Sequence, residues 1–255
     1  HAAVSDQEAA QLGKTLTPVG AERAGNRDGT IPEWKGGVTS APAGWKAGQK
    51  RIDPFAGDKI LYSIDASNVD KYKDRLSEGQ MALVRQLKGY RMDVYPTHRS
   101  CGFPDFVLER TRTNAREARL AANGWGLEKG IGAAVLFPIP KTGAEAMWNQ
   151  TFYYFGKHYT TTHYGFNAFA DGTYSEFTTR ERWIVPAGMN PEEIPGNDVF
   201  HRLGGAAWCF SQETVAPPRN AGSIFGGCNY FETTDFDAYL YVPGQRRVRK
   251  APELG

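Results

Sequence analysis

The chain has 255 residues, enough for one large domain with a sizeable core. Charge is close to balanced, 30 basic against 28 acidic residues, which leaves no global field to steer the protein to nucleic acid and argues against a DNA or RNA binder. Aromatics make up 13%, and 29 Gly with 15 Pro suit a loop-rich β protein better than a helical bundle or a disordered segment.

No apolar run of about 18 residues occurs, so no membrane-spanning helix is expected. The opening "HAAVSDQE" has neither a positive n-region nor an apolar h-region. Its "HAA" reads as the scar of signal-peptide cleavage or as a cloning remnant. Cys101, Cys209 and Cys228 fit no zinc spacing, because none lies in a C-x2-C pair.

Residues 1–150 read as helical and loop-rich. Ser5 with Glu8 three residues later marks a helix start, and Gly13 a stop. "LTPVGAERAGNRDGTIPEWKGG" is turn-rich and irregular. Ser77 and Gln80 open a second helix that Gly89 ends. The longest helical candidate starts at Pro104 and ends by Gly124. Its stripe of Phe106, Val107, Ala118 and Ala121 is thin, so a surface position is expected. Thr142 and Glu145 repeat the capping pattern, behind a proline-locked arm, "LFPIPK", that could pin this helix against a sheet.

Residues 151–255 read as antiparallel strands, for the period changes to two from about His158. "HYTTTHYGFNAFADGTYSEFTTRERWIV" is a hairpin around Asp171-Gly172, read as a two-residue type I′ turn. That register pairs Phe166 with Phe177 and Thr160 with Trp183. It puts Tyr164, Phe166, Phe177, Trp183 and Val185 on one face and Glu176, Arg180 and Arg182 on the other. A second hairpin runs from "AAWCFSQET" to "SIFGGCNYFE". With its centre between Pro218 and Arg219, Cys209 faces Cys228 and a disulfide can form. Half a residue of shift sets Phe210 against Cys228 instead. The basic ribbon "YLYVPGQRRVRKAP" is read as a sheet corner rather than a headgroup grip. A three-residue loop, Pro243-Gly244-Gln245, pairs Leu240 with Val248, Tyr239 with Arg249 and Tyr241 with Arg247, giving a Tyr–Arg face.

Sites of chemistry are sparse. His158 and His163 lie five apart on a strand and point to opposite faces, so they cannot share a metal. His98 and His201 are isolated, no G-x-S-x-G elbow occurs, and "GWGLEKGIG" follows a helix with the wrong glycine spacing for a dinucleotide site. Asn26, Asp28 and Gly29 are better read as a tight polar turn than as a calcium loop. No catalytic residue, metal or cofactor is expected. The aromatic face is either plain core or the lining of a cavity for an apolar ligand, with Tyr164, Phe166, Phe177, Trp183, Trp208 and Phe210 as its rings.

Five stretches, "LTPVGAERAGNRDGTIPEWKGG", "YPTHRS", "FPIPKTGAEAMWN", "SQETVAPPRNAG" and "YVPGQRRVRKAP", together resemble a proteobacterial exported family, domain of unknown function 1329. That family is grouped by fold with the lipoprotein carriers LolA and LolB. The resemblance runs from about Leu16 to Pro252. It implies an α+β, mainly β protein: a curved antiparallel sheet, an unclosed barrel, wrapping short helices around an apolar cavity. It also implies a periplasmic or outer-membrane-associated location, near transporters of the resistance–nodulation–division type and outer-membrane proteins. Because such proteins continue beyond "VRKAP", residues 1–255 are expected to form one domain incomplete at its C-terminal side. The missing strands would lie further along the chain or come from a second polypeptide. "SIFGGCNYFE" departs from the aliphatic run expected there.

The function expected from this reading is non-enzymatic binding and carriage of a lipid or other hydrophobic molecule in envelope transport. The alternative is an adaptor docking to an envelope transporter or outer-membrane protein through its exposed sheet edge or through the Tyr–Arg face of Tyr239, Tyr241, Arg247 and Arg249. An enzyme acting through His98 or His158 ranks third.

Overall fold

A computed structural model describes residues 4–186, 189, 206–230 and 236–251. His201 and the "HAA" opening therefore lie outside the described residues. The chain divides into two compact units, Glu22–Phe103 and the remainder, His1–Ala21 with Pro104–Gly255. In chain order, α1 (Asp6–Ala9) carries the expected capping box of Ser5 and Glu8, but it stops well before Gly13. Arg116 pairs with its Asp6 at 3.1 Å, and Lys141 pairs with Glu8.

Within Glu22–Phe103, β1 (Tyr62–Ile64) pairs antiparallel with β2 (Met92–Val94). Between them run a 3-10 turn at Val69–Arg75 and α2 (Glu78–Gln86), capped by Ser77 and Gln80 as expected. Ile64, Val69 and Val84 form a small core, beside which Tyr62 and Tyr72 stack at 5.1 Å. The irregular loop ahead of it is organised by one cation. Arg99 donates to the carbonyls of Glu22 (2.6 Å), Arg23 (3.0 Å), Ala24 (3.3 Å) and Pro32 (3.4 Å). Trp34 adds an indole N–H bond to the Cys101 carbonyl at 2.9 Å. Asn26 closes the polar turn, accepting from the Ile31 amide and donating to Thr30. Chain without regular structure must satisfy its carbonyls somehow, and a guanidinium with five donors does so where a lysine could not.

In the other unit, α3 (Asp105–Glu117) is shorter than its pattern suggested. Ala118 turns extended, and β3 (Arg119–Leu120) pairs with β4 (Leu127–Lys129). The helix is not confined to the surface: Val107, Thr111, Asn114 and Ala115 are buried. Two of these are polar, which hid the stripe. Asn114 exchanges hydrogen bonds with the Ile131 backbone, and Thr111 accepts from the Val135 amide at 3.1 Å. α4 (Gly143–Thr151) has the expected Thr142–Glu145 box. Its Asn149 clamps the proline-locked arm through both backbone groups of Phe137, at 2.8 and 2.7 Å. Leu120, Leu136, Phe137, Trp148 and Phe152 then pack with Ala207 and Trp208 as the main core.

Six strands follow: β5 (His158–Ala168), β6 (Tyr174–Ile184), β7 (Ala206–Ala216), β8 (Ile224–Tyr230), β9 (Phe236–Val242) and β10 (Arg247–Lys250). They form one curved antiparallel meander in the order β10-β9-β8-β7-β6-β5. It is open, since its end strands do not pair with each other. The protein is thus mainly β, with a few short helices.

Two hairpin registers differ from expectation by one residue, for the same reason. At β5–β6 the loop has three residues, 170–172. Gly172 sits in the left-handed region at φ 84°, its amide donates to Phe169, and the Asp171 carboxylate caps Thr173. Trp183 therefore faces Tyr159, Phe177 faces Gly165, and Phe166 faces Glu176. At β9–β10 the loop has four residues, 243–246, ending on left-handed Arg246 at φ 49°. Arg249 then faces Leu240, Arg247 faces Val242, Val248 faces Tyr241 and Lys250 faces Tyr239. The expected Tyr–Arg pairs do not form. The central hairpin keeps its expected register, and Cys209 and Cys228 are joined by a disulfide at an S–S distance of 2.10 Å.

Two outcomes test this arrangement. Alkylation without reductant should label one thiol, Cys101, and alkylation after reduction three; two or more labelled without reductant contradicts the bridge. Arg99→Lys should destabilise Glu22–Phe103 by about 2 kcal/mol, seen as faster protease cleavage within residues 22–38, because one ammonium cannot serve four divergent carbonyls.

Candidate functional site

Alternation along the strands gives the sheet two distinct faces. Tyr159, Trp183, Phe210, Phe225 and Phe236 share one of them through direct or successive pairings, and Trp208 joins them two residues from Phe210. Their rings touch in series. Tyr159 stacks on Trp183 at 6.0 Å, Trp183 on Phe210 at 5.0 Å, and Phe210 on Phe236 at 5.8 Å. Trp208 lies 5.2 Å from Trp183, Phe225 lies 5.6 Å from Phe210, and Phe155, from the segment after α4, meets Trp183 edge-on at 5.6 Å. Gly227 faces Phe210 and has no side chain to separate these rings. Ring pairs of this geometry add about 0.5–1.5 kcal/mol each beyond burial. None of these rings is fully buried, so the row is a surface rather than a sealed core.

Where the row meets the helices, a crevice of about 530 Å³ opens between Trp125, Met147, Trp148 and Phe152. It reaches Asn229, which sits opposite both Trp208 and Phe236 on the aromatic face. Trp125 and Met147 expose 68% and 63% of their surface, so the mouth is lined with apolar groups that nothing among the described residues covers.

The aromatic row ends at a polar group on β6. The Glu181 carboxylate accepts the Trp183 indole N–H at 3.0 Å and the Gln212 amide at 2.6 Å, and lies 3.3 Å from the His163 ring. Burial, the largest single influence, pushes its pKa up, but these donors together hold it below the ordinary carboxylate value. Burial also raises the neighbouring Tyr159 phenol, and the Glu181 charge adds to the rise.

Of the six rings expected to share a site, Trp183, Trp208 and Phe210 come together. Phe177 shares their face but lies over Gly165, where an added Cβ would come within 2.4 Å of its ring. Tyr164 and Phe166 do not belong: the register turns them to the opposite face, 83% and 69% exposed, with Glu176, Arg180 and Arg182. There Phe166 meets Tyr174 at 6.1 Å, and Glu213 pairs with Arg182 at 3.5 Å and Arg180 at 3.7 Å. Tyr239 and Tyr241 also lie on that opposite face, beside a groove of about 710 Å³ that includes Val248 and Asp237. Arg247 and Arg249 lie on the aromatic face instead.

Among the described residues, His98 bonds Asp58 at 2.6 Å and stacks on Phe55 at 3.8 Å, while His158 and His163 fall on opposite faces of β5. Among the described residues no three His, Cys, Asp or Glu side chains converge as a metal site. Sequence reading missed Tyr159, Phe155, Phe225 and Phe236. Period-two alternation carried on through β8 and β9 would have found the last two.

Glu181→Gln tests the polar end. A depressed folded pKa adds stability that is present above the ordinary carboxylate value and lost as pH falls through the depressed one. The parent should therefore lose stability to urea as pH falls from the ordinary carboxylate range through the depressed value, and the variant should lose less over the same fall. An unchanged pH profile would remove this role.

Comparison with known proteins gives a family and no activity. A family model described as "Protein of unknown function (DUF1329)" matches residues 63–255. An uncharacterized protein of Pseudomonas aeruginosa, PA3922, is 36% identical over 260 residues, covering 99% of this chain and 55% of its own length. The chain thus spans about half of that relative. No solved structure matches. With most of its length matched by the family model, the chain belongs to the DUF1329 family of proteins of unknown function.

Proposed function

We propose that the chain is a non-catalytic binding protein of the bacterial envelope that carries a lipid or other hydrophobic molecule on its aromatic face. The observation that carries this reading is the unbroken row of partly exposed rings from Tyr159 to Phe236, continuous with the crevice beside Trp148. A soluble monomer seldom leaves such a surface open without an occupant. Burying an alkyl chain there is worth about 0.8 kcal/mol per methylene. The open antiparallel sheet with short helices at one end is also the architecture expected of LolA- and LolB-like carriers. The Cys209–Cys228 bridge favours an oxidising compartment, which for such a carrier is the periplasm, in association with the outer membrane.

A second reading, docking to an envelope transporter or outer-membrane protein, draws on different residues. Tyr164, Phe166, Phe169 and Tyr174 gather at the free end of the β5–β6 hairpin, each more than half exposed. One purification separates the two readings. Solvent extraction and mass spectrometry of the protein should release an apolar molecule, and Trp183→Ala with Phe210→Ala should reduce its recovery about tenfold or more. Protein that emerges empty, and that loses a captured envelope partner on Tyr164→Ser with Phe166→Ser, would overturn the carrier reading in favour of docking.

A further inference from the structure

The arginines that the β9–β10 loop carries away from the tyrosines arrive at one end of the aromatic row. Arg249 faces Leu240, and Leu240 faces Phe225; Arg247 faces Val242 on the same side. Both side chains are exposed, and neither is ion-paired or hydrogen-bonded to another described residue. The neighbouring cation, Lys250, behaves differently: it lies on the opposite face and pairs with Asp237 at 3.0 Å. At the far end stands Glu181, a carboxylate whose two oxygens are already held by Trp183 and Gln212. The face is therefore electrically polar along its length, positive at β10 and negative at β6, with rings between.

Resting on the proposed role of this face as a ligand site, the geometry points to an anionic amphiphile as the class of ligand. Its carboxylate or phosphate head sits at Arg247 and Arg249, and its apolar body lies across Phe225, Phe236 and Phe210 toward Trp183. Guanidinium forks suit either head, since both present paired oxygens at the spacing of two parallel N–H donors. From β10 to β6 there are four strand spacings, about 19 Å at about 4.8 Å each, a span that fits an extended acyl chain better than a compact metabolite. Glu181 opposes the reverse orientation, because it would set the ligand's anion against a fixed carboxylate.

The test holds the tail constant and varies the head. The full 255-residue chain is titrated, with tryptophan fluorescence as readout, against dodecanoate, dodecyl phosphate, dodecyl maltoside and dodecyltrimethylammonium below their micelle concentrations. The anionic pair should bind at least about tenfold tighter than the neutral and cationic probes. That preference should shrink as salt rises, because exposed charges are screened over about 10 Å. Arg247→Gln with Arg249→Gln should bring both anions down to the level of dodecyl maltoside while its own affinity stays put, and the stronger of the two anions names the head. Equal affinity for all heads, or an anion preference that survives the double substitution, overturns the inference and leaves the aromatic face a ligand site. Failure of all four probes to bind overturns the proposed carrier role itself.

Discussion

A strand alternates its side chains with a period of two, so the two faces of this sheet depend on how many residues each loop holds. One extra residue moves a whole strand's worth of groups from one side to the other. Gly172 and Arg246 each supply that residue by entering the left-handed region. Gly172 does so at no steric cost, whereas Arg246 meets the usual crowding of a side chain there. The entry of Tyr159 into the aromatic row, the turning of Tyr164 and Phe166 to the opposite face, and the placement of Arg247 and Arg249 all follow from these two positions.

The same fact explains what was readable in the sequence. Capping boxes at Ser5, Ser77 and Thr142 were visible because a hydroxyl and a carboxamide or carboxylate three residues apart satisfy each other's backbone locally, with no help from the fold. The three hairpins and the Cys209–Cys228 pairing were visible for a similar reason, as alternation and turn residues are short-range signals. Asp-Gly marks a tight turn, but the dipeptide serves two-residue and three-residue loops alike. The letters alone could not choose between Phe166 and Gly165 as the partner of Phe177.

Other features were hidden because their chemistry is long-range. Asn114 and Thr111 look like surface residues on a helix until the backbone of residues 131–135 arrives to occupy them. Arg99 looks like one more cation until four carbonyls from the loop between Glu22 and Pro32 surround it. Burial statistics misjudge such residues, since a polar group is admitted to the interior when its hydrogen bonds are complete. The candidate site was half legible: Trp183, Trp208 and Phe210 followed from alternation, and the same alternation extended through β8 and β9 reaches Phe225 and Phe236.

The Cys209–Cys228 bridge takes on a meaning beyond its own strength once the sheet is seen to be open at both edges. Its sulfurs lie on the side away from the rings, yet they join the two strands that carry Phe210 and Gly227. Sliding β7 against β8 by a single step would turn one strand's rings to the other side of the sheet. A covalent tie at the middle strands forbids that slide. For this molecule, oxidation locks at the centre of the sheet the alignment that the loops select, so the aromatic surface is held to one side by a bond as well as by turns.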